Sequence, residues 1–124
     1  MSFSPRVAVV DDETPMRTAL GRLLRLGDCE VTLFSSGEAF LASLDAGIPD
    51  CVILDIWMAG LSGIDVLRRL RAVGIQVPVI CVTASEDVAL AKQVLDAGAV
   101  QLLRKPIPSG ELLDAMRLAI AKKS

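Results

Sequence analysis

The sequence predicts an α/β protein in which five strands alternate with five helices, a (βα)5 doubly wound arrangement around one parallel sheet. Five short runs rich in β-branched residues recur along the 124 residues, and each is followed by apolar residues at helical spacing. Strict alternation of this kind requires right-handed crossovers and a parallel sheet covered on both faces. Three of the runs are continuously apolar, which is typical of strands buried on both faces.

The strands are predicted from these runs. They are Arg6–Val10, Glu30–Phe34, Cys51–Leu54, Val79–Val82 and Val100–Leu103. The second run alternates apolar and polar residues, as a half-buried strand does, so we expect it at an edge of the sheet.

The first two helices have recognisable ends. Pro15 suits the first turn of the helix after the first run, and Gly27 suits its exit. The apolar side of this helix consists of Met16, Leu20, Leu23 and Leu24. Ser35 and Glu38 have the spacing of a capping box, which predicts a second helix over Ser36–Ala46.

The remaining three helices follow the later runs. Ser62 can cap the third helix. Its expected inward residues are Ile64, Leu67, Leu70 and Val73. The fourth helix is expected over Asp87–Ala97 with its end at Gly98, and the fifth over about Ser109–Ala121.

Composition and charge exclude several classes of protein. A net charge of −2 disfavours direct binding of nucleic acid, and the absence of histidine excludes a Ser-His-Asp triad and histidine-ligated zinc. No apolar stretch approaches the roughly 20 residues of a membrane span. The three cysteines are odd in number and form no CxxC pair, and Cys51 and Cys81 lie inside apolar runs, where a core position is expected. This usage suits a reducing compartment, so we expect a cytoplasmic location.

Reactive side chains lie at the ends of four predicted strands. Asp11 and Asp12 follow the first, Asp55 the third, Thr83 the fourth and Lys105 the fifth. Ligands bind at the carboxyl ends of strands in open parallel sheets, so these groups are expected at one rim. Each alone is an ordinary cap, loop or surface residue, but together they favour a functional site.

The chemistry of this set is that of phosphoryl transfer. Three neighbouring carboxylates repel one another, and a hard divalent cation such as Mg²⁺ relieves that repulsion. The ammonium of Lys105 and the hydroxyl of Thr83 suit phosphoryl oxygens. Asp55 is then the expected nucleophilic acceptor.

Four motifs at these spacings resemble the receiver (CheY-like) domain of two-component response regulators. They are Val9–Glu13, Asp55–Gly63, Val82–Ala84, and the segment from Gly98 to Pro106. The resemblance covers essentially the whole chain, so it implies a single receiver domain over residues 1–124. It also implies a five-stranded sheet in the order 2-1-3-4-5, which the alternation alone does not determine.

The resemblance assigns roles to the phosphoryl-binding residues. It implies that Asp55 accepts a phosphoryl group from the phosphohistidine of a sensor histidine kinase. Lys105 and Thr83 would bind phosphoryl oxygens, and Thr83 would move toward the phosphate on activation. The chain contains no histidine, so the donor must be another protein or a small acyl phosphate.

The resemblance also implies the ligands of a Mg²⁺ ion. Asp12 and Asp55 would bind it directly, together with the backbone carbonyl of Trp57. Asp11 would act mainly through a water molecule on the metal.

The segments Ser36–Leu41 and Leu61–Gly63 are similar to receivers of the FixJ/NarL kind, which commonly carry a C-terminal DNA-binding output domain. Such an output is absent up to Ser124, so DNA would be bound only through a domain outside this chain. We expect a receiver cut from a longer transcription regulator. A stand-alone receiver that acts through protein contacts, or as a phosphorelay sink, stays open, as does a homodimer formed on phosphorylation.

Two positions depart from the family pattern. Ala59 stands where the family usually has proline, which predicts a slightly looser loop and no effect on the chemistry. Leu102 stands where the family has a switch aromatic residue, whose inward swing a leucine cannot reproduce in full.

Other classes of function are less well supported. A haloacid dehalogenase-type phosphatase needs DxDx[TV] after the first strand, and the segment from Asp11 to Pro15 does not match it. No GxGxxG or Walker loop follows Val10, which disfavours a nucleotide-binding module. A receiver-like protein that works without phosphate is disfavoured by the complete set of reactive residues.

Overall fold

Five parallel strands form one sheet in the order β2-β1-β3-β4-β5 in the computed structural model, which describes residues 4–123. The strands are β1 Arg6–Val10, β2 Glu30–Phe34, β3 Cys51–Asp55, β4 Val79–Thr83 and β5 Gln101–Arg104. The helices are α1 Thr14–Leu26, α2 Gly37–Ser43, α3 Gly63–Ala72, α4 Val88–Asp96 and α5 Ser109–Lys123. The predicted alternation, fold class and strand order are confirmed. The ends of the expected domain, Met1–Phe3 and Ser124, lie outside the described residues.

Each strand contributes side chains to two separate cores because successive residues point to opposite faces of the sheet. On β1, Val7 and Val9 pack on one face, and Ala8 and Val10 pack on the other. The first face is covered by α1 and α5 through Leu20, Leu24, Leu112 and Met116. The second is covered by α2, α3 and α4 through Phe40, Val66, Leu67, Leu70, Leu90 and Val94. Burying one such side chain contributes roughly 1.5–3 kcal/mol, so the two cores hold the strand ends firmly.

The strand boundaries differ from the prediction by one residue at four strand ends, which belong to three strands. Both β3 and β4 include the residue after the apolar run, Asp55 and Thr83, because each continues the ladder with its neighbour. The fifth strand begins at Gln101 instead of Val100 and ends at Arg104, and Val100 is half exposed. The second strand lies at the edge of the sheet, as its alternation predicted.

The predicted capping box at the start of α2 is wrong. Ser36, not Ser35, is the N-cap, since its backbone is extended and its hydroxyl accepts a hydrogen bond from the Ala39 amide at 3.0 Å. The helix ends at Ser43, and the last predicted turn is a separate 3₁₀ turn at Leu44–Ala46.

The predicted cap of α3 is confirmed, while one of its predicted inward residues is wrong. Ser62 accepts from the Asp65 amide, and the Asp65 carboxylate accepts from the Ser62 amide in return. These bonds lower the pKa of Asp65. Val73 is 69% exposed because α3 ends at Ala72, one residue before it.

The three cysteines are buried and unpaired, which confirms the core positions predicted for Cys51 and Cys81 from their apolar surroundings. Among the helices of residues 4–123, none combines the length and the apolar character that crossing a membrane requires.

Candidate functional site

The carboxyl ends of the strands bring the predicted site residues together. Asp11 directly follows β1, Asp55 ends β3 and Lys105 directly follows β5. One oxygen each from Asp11, Asp12 and Asp55 lies within 4.8 Å of the others. Asp11 and Asp55 are buried, whereas Asp12 is exposed. The cluster therefore has a shielded inner part and one side open to solvent.

Asp11 is held by hydrogen bonds to both of its carboxylate oxygens. The Glu13 amide donates to Oδ1 at 2.9 Å, and Lys105 Nζ lies 3.2 Å from Oδ2. The guanidinium of Arg17 donates to the Asp11 backbone carbonyl at 2.7 Å. Arg17 was not singled out from the sequence, because an arginine on the polar side of a helix looks the same as one that only contacts water.

Lys105 pairs with two carboxylates. Its Nζ lies 3.2 Å from Asp11 Oδ2 and 3.5 Å from Asp55 Oδ1, and its side chain is only 9% exposed. The cluster of three carboxylates is thus accompanied by one ammonium, which pairs with two of them. The negative charge of the cluster is therefore only partly compensated by this lysine.

The pKa of Asp55 is raised to about 6. Burial is the main cause, and the neighbouring charge of Asp11 adds to it, while Lys105 opposes both. Removing a carboxylate from water disfavours its charged form, and a second negative charge nearby does the same. A cation bound here would stabilise the ionised form of Asp55 and so lower its pKa.

Asp12 contacts the loop between β3 and α3. The Ala59 amide donates to Asp12 Oδ2 at 3.0 Å. A proline at position 59 would have no N–H group to donate. The departure at Ala59 therefore reaches the site through its backbone, a contact that the sequence did not indicate.

The same loop returns close to the backbone of Asp55. The Gly63 amide donates to the Ile56 carbonyl at 2.8 Å. A Cβ on Gly63 would lie 2.6 Å from the Asp55 carbonyl oxygen and 2.9 Å from the Ile56 Cα. Only glycine allows this approach, so the start of α3 is packed directly on the end of β3.

Thr83 ends β4, which pairs with β3, and Trp57 follows the end of β3 by two residues. The Thr83 hydroxyl is buried at the end of β4 and accepts a hydrogen bond from the Ser85 amide at 3.1 Å. The Lys105 amide donates to the Thr83 carbonyl at 2.7 Å, which ties the two strand ends together. The indole of Trp57, two residues after Asp55, is 59% exposed.

The available oxygens fit a hard divalent cation. Within residues 4–123, no hydrogen bond reaches Oδ1 of Asp12 or Oδ2 of Asp55, so each carboxylate keeps one oxygen for a ligand. Both oxygens of Asp11 are already used. An all-oxygen donor set with excess negative charge is the kind of site that Mg²⁺ prefers.

Comparisons with known proteins agree with this geometry. A family model described as the response regulator receiver domain matches residues 7–117. The response regulator protein TodT of Pseudomonas putida is 36% identical over 114 residues, which are 92% of this chain and 50% of that protein. The transcriptional regulatory protein FixJ of Bradyrhizobium diazoefficiens is 36% identical over 120 residues, 97% of this chain and 58% of that protein.

A solved structure of FixJ-N superposes with a TM-score of 0.89 at 32% identity, covering 98% of this chain and 96% of that one. The chain spans about half the length of the TodT and FixJ proteins that it matches. The fold, the strand-end cluster and these similarities agree, and the chain belongs to the response regulator receiver domain family.

Proposed function

We propose that this chain is a phosphorylation-activated receiver that accepts a phosphoryl group on Asp55 from a sensor histidine kinase. The observation that carries the proposal is the convergence of Asp11, Asp12 and Asp55 beside one lysine, Lys105, whose side chain is largely shielded from solvent. A structural cluster of this kind would be expected to have its charges matched. Here the carboxylates outnumber the ammonium, and Asp55 keeps one oxygen without a hydrogen-bond donor.

The chemical step is attack of the Asp55 carboxylate on phosphorus. The oxygen–phosphorus bond forms as the phosphorus–nitrogen bond of the kinase phosphohistidine breaks, and the imidazole leaves with the electron pair. Lys105 provides a positive charge beside the acceptor, and the Thr83 hydroxyl donates to a phosphoryl oxygen. The raised pKa of about 6 still leaves Asp55 mainly ionised, and therefore nucleophilic, at neutral pH.

The residues proposed to hold Mg²⁺ are those with free oxygens. Asp12 and Asp55 would bind it directly with the backbone carbonyl of Trp57, and Asp11 would act through a water molecule. Both oxygens of Asp11 accept hydrogen bonds from protein groups, which supports its indirect role. When bound, the cation neutralises charge that builds up on the phosphoryl oxygens.

The protein is proposed to act as a signalling domain that assists its own phosphorylation and slow dephosphorylation, and not as a conventional enzyme. Its partner would be a cytoplasmic kinase domain, and phosphorylation would favour a conformation that an output reads. One similar protein is named a transcriptional regulatory protein, which supports control of transcription through a DNA-binding domain outside this chain. Homodimerisation on phosphorylation is part of the same proposal. A stand-alone receiver, acting through protein contacts or as a phosphorelay sink, is the alternative.

The proposal is tested with acetyl phosphate as donor, which needs no cognate kinase. Fluorescence of Trp57, the single tryptophan, is followed while Mg²⁺ and then acetyl phosphate are added, and intact mass is measured on the same samples. The variant is Asp55→Asn, and the matched control is Asp114→Asn, which changes an exposed carboxylate on α5.

We expect a Mg²⁺-dependent fluorescence change and a single phosphoryl adduct in the wild type and in Asp114→Asn, with no adduct in Asp55→Asn. No adduct in any of the proteins, together with no response to Mg²⁺, would contradict the proposed function. The chain would then be better studied as a phosphate-independent binding module.

A further inference from the structure

Arg104 connects the end of β5 to the segment that leads from β4 into α4. It is the last residue of β5 and is paired with Thr83 in the parallel ladder. Its guanidinium donates through Nη1 to the Ser85 carbonyl and through Nη2 to the Asp87 carbonyl, the latter at 3.2 Å. One side chain thus bridges two carbonyls of the same connecting segment.

Ser85 and Asp87, which own these two carbonyls, also take part in a chain of hydrogen bonds that runs from Thr83 to α4 through their amides and side chains. The Ser85 amide donates to the Thr83 hydroxyl at 3.1 Å, and the Asp87 amide donates to the Ser85 hydroxyl at 3.1 Å. Asp87 is the N-cap of α4, and its carboxylate accepts from the Ala89 amide at 3.0 Å. The connecting segment is therefore attached to the site at one end and to the first turn of α4 at the other.

We propose that Arg104 is a positioning residue that bridges Ser85 and Asp87, so that a displacement of Thr83 is passed along this segment to the start of α4. The inference rests on the proposed function, in which the Thr83 hydroxyl moves toward a phosphoryl oxygen. Ser85 follows Thr83 because it is two residues away and bonded to the hydroxyl. With Ser85 and Asp87 held by one rigid guanidinium, the movement carries the α4 cap with it and is not absorbed in the loop.

The shape of the guanidinium explains why an arginine is needed. Its donors form a planar fork with fixed spacing, which can hold two carbonyl oxygens at once. A lysine keeps the positive charge but presents a single small ammonium on a flexible stem. We therefore assign the role of Arg104 to its bridging of two carbonyls and not to its positive charge near the site.

Hydrogen exchange tests directly whether Arg104 holds Ser85 and Asp87 in place. Amide exchange of the peptide spanning residues 84–91 is measured by mass spectrometry in wild type, Arg104→Gln and Arg104→Lys. The control is Arg22→Gln, since Arg22 is exposed on α1 and its side chain has no hydrogen bond or ion pair to the rest of residues 4–123. We expect exchange in this peptide to be about fivefold faster in both Arg104 variants, and unchanged in the control.

A second readout separates transmission from simple stability. Exchange of the first turn of α4 is compared before and after phosphorylation by acetyl phosphate, with the adduct confirmed by intact mass. We expect the phosphorylation-dependent change to be smaller in both Arg104 variants than in wild type, although all form the adduct.

The outcomes distinguish this inference from the proposed function. Absence of the adduct in wild type would contradict the proposed function itself. An adduct in every protein with the same exchange and the same response would overturn the role of Arg104 alone. Wild-type behaviour of Arg104→Lys would also overturn it, because charge and not bridging would then be sufficient.

Discussion

Asp55 is the residue whose ionisation the fold alters most clearly within the cluster. Its carboxyl has an ordinary pKa of 3.8, and burial together with the charge of Asp11 raises this pKa to about 6 in the folded protein. Between these two pH values the folded state binds more protons than the unfolded chain. Stability therefore falls as the pH rises through this window. An ionised Asp55 therefore lowers the stability of the folded protein, and a bound cation would reduce that cost.

Replacement of Asp55 by asparagine is expected to stabilise the metal-free protein at neutral pH, because the neutral amide avoids the buried charge. The gain in Tm should be largest above about pH 7 and should shrink toward about pH 4, where wild-type Asp55 is protonated during folding. Thermal unfolding in the presence of a chelator measures this. A variant that is no more stable than wild type at neutral pH would show that the buried charge of Asp55 does not lower the stability of the fold.

Lys105 is expected to stabilise the site far more than an exposed lysine of the same charge. Lys105→Met leaves buried Asp11 and Asp55 without their cation, and losing one partner of a buried pair costs about 3 kcal/mol. The control Lys92→Met removes an exposed pair with Asp96, which is worth about 1 kcal/mol or less.

Urea unfolding at neutral pH compares the two lysine variants, and addition of Mg²⁺ should restore part of the loss in Lys105→Met only. If the two variants lost the same free energy of unfolding, Lys105 would not be compensating a buried excess of negative charge.

At the residue level, the sequence indicated the reactive side chains but not the residues that hold the surrounding backbone in place. Asp11, Asp55 and Lys105 could be predicted because the carboxyl ends of parallel strands meet at one rim. The contacts made by Arg17 and Arg104 could not, because both donate to backbone carbonyls whose positions depend on the folded loops. Backbone donors and acceptors carry no residue type that a sequence pattern could reveal.

At the level of elements, the turn from β3 into α3 determines where the acceptor lies. Ser62 and Asp65 cap α3 reciprocally, and Gly63 brings its first turn against the Asp55 carbonyl. The cap was predictable from its residue types, since a serine followed by an acidic residue three positions later is a local signal. The close approach of Gly63 depends on two elements together, so it had no local signal.

Gly63→Ala is expected to destabilise the fold by about 1–3 kcal/mol, because its Cβ would press on backbone atoms that cannot rotate away. The matched control is Gly110→Ala in the first turn of α5, where a Cβ meets nothing within 4 Å. That control should be neutral or more stable by about 0.5 kcal/mol, since alanine favours helix.

Urea denaturation gives the two changes in free energy of unfolding for Gly63→Ala and Gly110→Ala. A Gly63→Ala protein as stable as the Gly110→Ala control would show that α3 does not rest on the end of β3.

For the whole molecule, the alternation of strands and helices predicted the class of fold, while the strand order came from the resemblance. Alternation requires parallel strands and right-handed crossovers but permits several orders of strands. The edge position of β2 was predictable because Glu30 and Thr32 alternate with apolar residues. The shift of β5 by one residue was not, since Val100 is as apolar as the strand residues that follow it.

The two cores are expected to unfold together, and the reactivity of one cysteine in each core measures whether they do. Cys51 and Cys81 lie in different cores, on opposite faces of the sheet, and burial raises the pKa of each thiol to about 12. In a Cys29→Ser background, neither thiol should react with a disulfide reagent at about pH 8 until the protein unfolds. Labelling followed by mass spectrometry across a urea series measures both. Reaction of one thiol well before the other would show that one face opens separately.

Asp55 is the one carboxylate of the cluster proposed to accept the phosphoryl group, although Asp11 and Asp12 have oxygens within 4.8 Å of it. Peptide mapping by mass spectrometry, after reaction with acetyl phosphate and Mg²⁺, tests this most directly. We predict that the phosphoryl group is found on the peptide containing Asp55 and not on the one containing Asp11 and Asp12. Modification of the Asp11 and Asp12 peptide, or a distribution over both, would contradict the assignment of Asp55 as the acceptor.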